Sequence, residues 1–252
     1  MKKTMFALIA VALVGLTACG EKKSPTEVPD KKAQTETEAV KEKPSEGKEG
    51  EAATGDAALS VEMDEMVKTM SIGVDVEGAK PNIRDFAKAI CRGFRDYEPN
   101  SHMLAYLSDP KKGSKDNEVY TIDESVEKGY ISCMLAVEYE ISSTVCYWNR
   151  SNGHSLVGVW MRETHEGDEV SNAFGFYDYD PAVGELVPDK AVNAAVQKEI
   201  KAVKAQDYWI TLPKNGKDLE LSFYFEEKDN IEKVMKWNGN AFNPAKIVPG
   251  LE

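Results

Sequence analysis

Apolar side chains recur with two different periods along this chain, and the change of period organises its folded part. Met63, Met66, Val67 and Met70 follow Ser60 at helical spacing, and Ser60 suits an N-cap. Ile83, Phe86, Ala87, Ile90, Cys91 and Phe94 repeat the pattern behind Pro81-Asn82. Each stripe predicts a helix laid on a sheet, with Cys91 as a buried structural thiol in the second. After the polar loop SDPKKGSKDNE the period falls to that of strands. Val119–Ile122, Tyr130–Val137, Thr144–Asn149, Leu156–Met161 and Val170–Tyr177 are rich in β-branched and aromatic residues and are divided by turn residues. Asn152-Gly153 between two of these runs is a strong hairpin signal, so neighbouring strands are antiparallel. A further helix is predicted from Asp189 to Lys204, with Val192, Ala195, Val196, Ile200 and Val203 on one side. Three strands close the chain: DYWITLP, DLELSFYF after Asn215-Gly216, and IEKVMKW. Strand runs with intervening helices, without strict alternation, predict an α+β domain: an antiparallel meander of about eight strands with two or three helices on one face.

The pattern breaks differently at the start. Met1-Lys2-Lys3 is basic, Phe6 to Leu16 is apolar, and Leu16-Thr17-Ala18-Cys19 closes the run. A membrane-spanning helix needs about 20 apolar residues, so this run is too short and reads as an export signal. Leu16-Thr17-Ala18-Cys19 resembles the lipobox of bacterial lipoproteins. That resemblance implies cleavage after Ala18, diacylglyceryl transfer to the Cys19 thiol and acylation of the new amino terminus, an anchor stable enough to hold the protein to a bilayer. In lipoproteins of the proteobacterial type an Asp after the lipid cysteine retains the protein at the inner membrane; Gly20 stands there, which implies the outer membrane. Surface display goes with an early acidic run, and GEKKS departs from it, which implies the periplasmic face. In its aromatic strands and Asn-Gly turns the folded part resembles uncharacterised Bacteroidota lipoproteins, a likeness that supplies no activity.

From Gly20 to Ala57 there is no aromatic residue, no Leu and no Ile. Such a segment buries too little apolar surface to offset its ordering entropy, so a disordered tether with a span of roughly 35 Å is expected. Three regions follow: a signal at 1–18, a lipid-anchored linker at 19–58 and a single globular domain at 59–252.

Composition narrows the partners. The net charge is −12, and lysines and arginines are scattered among more numerous acids. A nucleic-acid binder would cluster them on one face, so nucleic acid is not an expected partner. The expected partners are the membrane, through the lipid, and an envelope protein or glycan.

Catalytic and metal motifs are wanting. His102, His154 and His165 have no HxxxH, HxH or CxxC spacing, so no metal site is expected, and each reads as a solvated turn residue. GHSLVG resembles a nucleophile elbow with one residue too many, inside a strand, so Ser155 reads as a strand serine. No glycine-rich phosphate loop occurs, so no cofactor is expected. FGFYDYDP sets aromatic rings beside Asp178 and Asp180, as carbohydrate sites do. Alternation puts Phe174, Phe176 and Asp178 on one face and Tyr177 and Tyr179 on the other. The simpler reading is a strand ending at Asp180-Pro181; the alternative is ligand binding by Tyr177, Asp178, Tyr179 and Asp180. Trp-Asn precedes a glycine turn twice, at YWNRSNG and KWNGN, and reads as two similar strand endings.

Cys91, Cys133 and Cys146 are the thiols left once Cys19 is acylated. If the link EYEISST turns between Tyr139 and Glu140, Cys133 and Cys146 face each other with Cα atoms about 4.5 Å apart, within disulfide range. A one-residue shift of register would separate them, and buried free thiols are the alternative. The expected role is a non-enzymatic binding module of the envelope; the alternative is an envelope hydrolase with a site assembled from distant positions.

Overall fold

The structure, a computed structural model, describes residues 61–109, 115–135, 140–164 and 170–248. The signal, Cys19, the tether, His165 and the tip of the EYEISST link lie outside the described residues. Chain contacts divide the protein into two units, Met1–Ala52 and Ala53–Glu252, and every described residue belongs to the second.

The described residues form four helices and eleven strands, all strand pairs being antiparallel, so the class is α+β. Helix α1 (Val61–Thr69), strand β1 (Ile72–Gly73), α2 (Ile83–Gly93) and α3 (Glu98–Ser108) come first. Strands β2 (Tyr120–Ser125), β3 (Tyr130–Leu135), β4 (Ile141–Asn149), β5 (Ser155–Thr164), β6 (Val170–Asp180) and β7 (Glu185–Pro188) follow. Helix α4 (Lys190–Val203) then leads to β8 (Asp207–Thr211), β9 (Leu219–Tyr224), β10 (Ile231–Met235) and β11 (Lys246–Val248). No helix among the described residues is long and apolar enough to cross a membrane.

The strands do not make one meander. They divide into a seven-stranded sheet in the order β1-β7-β6-β5-β4-β3-β2 and a four-stranded sheet in the order β11-β10-β9-β8. Helices α1, α2 and α3 cover one face of the larger sheet, around Phe86, Ile90, Ile131 and Tyr177. Helix α4 and the smaller sheet cover the other, around Trp148, Phe176, Val196 and Phe223. Coverage is therefore on both faces of the larger sheet, and its central strand shows it: β5 is buried from Ser155 to Glu163.

Local chemistry accounts for the helices. Asn82 caps α2, accepting from Arg84 N at 2.8 Å, while Asp85 reaches back to Asn82 N at 2.9 Å, a complete capping box. Asp189 caps α4, accepting from Ala191 N and Val192 N. Buried Asn193 fixes α4 to β6 by accepting from Phe176 N at 2.8 Å and donating to Phe176 O at 3.0 Å. Helix α3 has no counterpart in the sequence reading. One of its core positions is Asn100, fully buried, which donates to Phe94 O and accepts from Ser143 Oγ at 2.6 Å. A polar residue on the inward face hides the apolar stripe.

The expected disulfide does not form: Cys91, Cys133 and Cys146 are free and buried. In the β3–β4 hairpin Cys133 faces Ser143, and Cys146 faces Tyr130. Cys133 therefore packs among the helices, and Cys146 against the smaller sheet. An odd offset from the expected register has put the two thiols on opposite faces of the sheet.

Candidate ligand site

Four turns and loops gather at one end of the larger sheet: the β2–β3 turn, the β4–β5 hairpin, the β8–β9 turn and the segment after β10. The β4–β5 hairpin is closed by Arg150 N donating to His154 O at 2.9 Å, with Gly153 at φ 88°. Arg150 pairs with Asp178 and, at 2.5 Å, with Asp189 Oδ2. His154 Nδ1 lies 2.7 Å from Asp178 Oδ2, and its Nε2 lies 3.8 Å from Asp180. The carboxylates of FGFYDYDP thus fasten the hairpin to β6, and Asp189 fastens it to the start of α4.

The two tyrosines of the same stretch face the other way, as alternation predicts. Tyr177 is fully buried and donates to Val67 O at 2.6 Å; Tyr179 is buried edge-on against Phe86 with centroids 5.0 Å apart. Neither ring is free to receive a ligand, so Tyr177, Asp178, Tyr179 and Asp180 do not assemble one aromatic and acidic platform. Ser155 pairs across the sheet with Tyr179 and shares its face, opposite to that of Asp178, so no Ser-His-Asp arrangement forms. His102 lies in α3 and not in a turn, half-buried with its ring tilted over that of Tyr120, centroids 4.6 Å apart. Among the described residues no group of three or more His, Cys, Asp and Glu could hold a metal ion.

The Trp-Asn echo is structural. Trp148 and Trp237 stack at 5.9 Å, and Ser151 bonds to Gly239 O and Asn240 Oδ1. The two similar strand endings meet and hold the hairpin to the segment after β10.

Beside this hairpin lies a cleft of about 310 Å³ that the sequence reading missed. Its walls are the β2–β3 turn, the end of β4 and the β8–β9 turn. Gly129 is at φ 67°, and a β-carbon there would lie 2.7 Å from the Tyr147 ring, so glycine alone allows the turn to approach β4 this closely. Buried Trp148 donates its indole N–H to Lys217 O at 2.9 Å, fixing the other wall. Lys128 donates to Asn215 Oδ1 at 2.6 Å, which joins the two turns.

Charge distinguishes the cleft. Lys128, Lys214 and Lys217 line it beside one acid, Glu127, in a protein of net charge −12. Lys214 is paired with Asp123 at 2.6 Å, and Glu127 accepts from Ser125 Oγ at 2.9 Å. Lys217 is exposed, with no ion pair among the described residues. Three ammonium donors, the Asn149 amide and a half-buried tyrosine can receive an anionic, hydroxyl-bearing ligand. The visible signals were the lysines of EKG and PKNGK, each beside a turn glycine, but only folding brings these turns together.

At the opposite end Arg162 joins the two sheets. Its guanidinium reaches Asp207 at 2.9 Å, bonds to Tyr208 O and Asn172, and lies 4.7 Å over Trp209. Glu140 stands 3.8 Å from Arg162 Nε, and burial, together with Asp207, pushes its carboxyl above the usual range against the pull of Arg162. A cleft of about 350 Å³ opens beside Arg162, lined by Asp207, Gln206 and Glu226 among others.

No protein-family model, curated protein or solved structure matches the chain.

Proposed function

We propose that this chain is a lipid-anchored, non-enzymatic binding module of the cell envelope, with the lysine-lined cleft as its ligand site. The anchor is assigned to Cys19 on the strength of the lipobox, and the placement to the periplasmic face of the outer membrane on that of Gly20 and the sequence after it. One observation carries the binding site: a concave, fixed cleft concentrates lysines on a protein whose charge is otherwise strongly negative. The ligand is an anion small or sparse enough in charge to meet the cleft without lying along the acidic surface. Nucleic acid, with a phosphate on every nucleotide, does not fit that description.

Amide-shift titration of the full mature chain with phosphorylated, sulfated and carboxylated sugars, against neutral ones, tests the site. Anionic sugars are expected to shift Lys128, Gly129, Asn149 and Lys217. Shifts confined to the Arg162 end, or equal shifts with neutral sugars, would sink the assignment.

Glu140 favours a second reading, an envelope hydrolase: its carboxyl, held above the usual range, lies 3.8 Å from Nε of Arg162, which lines the cleft at that end, and so is a candidate proton donor. In that case Glu140→Gln abolishes hydrolysis of an envelope glycan while leaving the fold intact; a glycan turned over equally by both forms removes Glu140 from any such role.

A further inference from the structure

A second cleft, of about 320 Å³, lies on the other side of the β4–β5 hairpin. Lys80, Pro81, Asn149, Ser155, Tyr179 and Pro181 line it. Asn149 also lines the lysine cleft, so the two depressions meet at one exposed side chain at the end of β4. Each is near the lower end, about 300 Å³, of the sizes usual for ligand pockets, and each alone suits a small group.

Their linings are complementary. The first offers ammonium groups and amides. The second offers the rings of Pro81 and Pro181 with the Ser155 hydroxyl and one lysine, Lys80, which is exposed and has no ion pair among the described residues. Proline walls lose no rotamer freedom on binding. Sugar rings have apolar faces and hydroxyl rims, and suit a lining of rings beside hydroxyl and amide groups. Lys217 in one cleft and Lys80 in the other each leave a cation for an acidic substituent. The shared Asn149 amide, with donors and an acceptor, can take the hydroxyls of a unit passing between them.

From this juxtaposition we propose that the ligand is an acidic oligosaccharide, a chain of sugars carrying carboxylates, that runs from the lysine cleft past Asn149 into the proline-walled cleft. The proposal rests on the lysine cleft being the ligand site. It adds that recognition is of a chain, with gain in affinity from units seated in the second cleft.

Calorimetry on the full mature chain in detergent, with galacturonic acid and its di-, tetra- and hexamers, tests it. Affinity should rise at least tenfold from dimer to tetramer and level off beyond the length that fills both clefts. Lys217→Glu should weaken every length. Lys80→Glu, at an exposed loop position, should remove the gain of the longer chains. Affinity independent of length, or Lys80→Glu binding the tetramer as the unaltered chain does, overturns the two-cleft path and leaves the lysine cleft standing. Hexaglutamate binding as tightly as the hexamer overturns the saccharide assignment. If no uronate binds but a phosphorylated sugar still shifts the Lys217 amide, the acidic oligosaccharide fails alone. If no anion shifts it, both readings fail.

Discussion

Glu124 shows how a single enclosed acid is kept charged in this fold. Its side chain is 3% exposed, and Arg84 grips it through Nε at 2.5 Å and Nη2 at 2.9 Å while the Tyr106 hydroxyl donates at 2.8 Å. Burial alone would push its carboxyl up, but these donors and the nearby Lys115 outweigh it and hold the folded pKa below the ordinary value. A depressed folded pKa stabilises the protein above the unfolded value of about 4.3, and the stabilisation is lost as pH falls through the folded value. Glu124→Gln should therefore lower the Tm near neutral pH, with the gap to the unaltered protein shrinking below about pH 4; a gap independent of pH would refute the charge account. The thiols give a second prediction at this scale. Burial pushes Cys133 up to about 12 and raises Cys91 and Cys146 as well, so little thiolate forms in the native protein. Iodoacetamide should leave all three unmodified before unfolding and label all three after it; recovery of a Cys133–Cys146 bridged peptide would contradict the register of β3 and β4. That register was not legible from sequence because EYEISST contains no Asn-Gly or Asp-Gly pair to fix the turn. Alternation within FGFYDYDP was legible, since period two needs no knowledge of the partner strand.

Among the elements, α1 is held to the larger sheet by one close approach. A β-carbon at Gly175 would lie 2.5 Å from Val67 Cγ1 and 2.5 Å from Val67 O, and Tyr177 beside it bonds to the same carbonyl. A backbone atom cannot swing aside as a flexible side chain can, so Gly175→Ala must push α1 off β6. The expected cost is about 1–3 kcal/mol, read from urea unfolding; an unchanged midpoint would mean that α1 adds nothing to the fold. Helices α1, α2 and α4 were readable from sequence because apolar residues recur at helical spacing along them, Asp85 and Asn193 notwithstanding. Helix α3 was not, with Asn100 on its buried face. Nor was the division into two sheets, because β8 to β10 alternate just as the strands of the larger sheet do, and period two says nothing about which sheet a strand joins. The lysine cleft was illegible for a related reason: its walls include turns separated by the whole of β3 to β8.

At the scale of the whole molecule, the seven-stranded sheet separates two apolar cores, and the side chains that fill both come from the second unit of the chain. Among the described residues the first buried apolar side chain is Val67. Residues 20–57 have no aromatic residue, no Leu and no Ile to add to either core. Stability and location should therefore separate cleanly along the chain. A protein beginning at Leu59 should melt within a few degrees of the full mature chain, since a loss of even 1 kcal/mol moves the Tm of a domain of this size by about 2–4 °C. A larger drop would show that the segment before it packs on the domain. The proposed anchor predicts the converse pattern. Cys19→Ala should leave the melt of the domain unchanged but abolish normal processing, giving either a membrane-bound precursor or a soluble product of another peptidase. Detergent partitioning and intact mass decide this together: a Cys19→Ala protein that enters the detergent phase at the mass of the mature form would show that no lipid is carried at Cys19. The anchor would then have to be sought elsewhere, while the cleft and its ligand tests would be unaffected, because none of the groups that line it lies before Leu59.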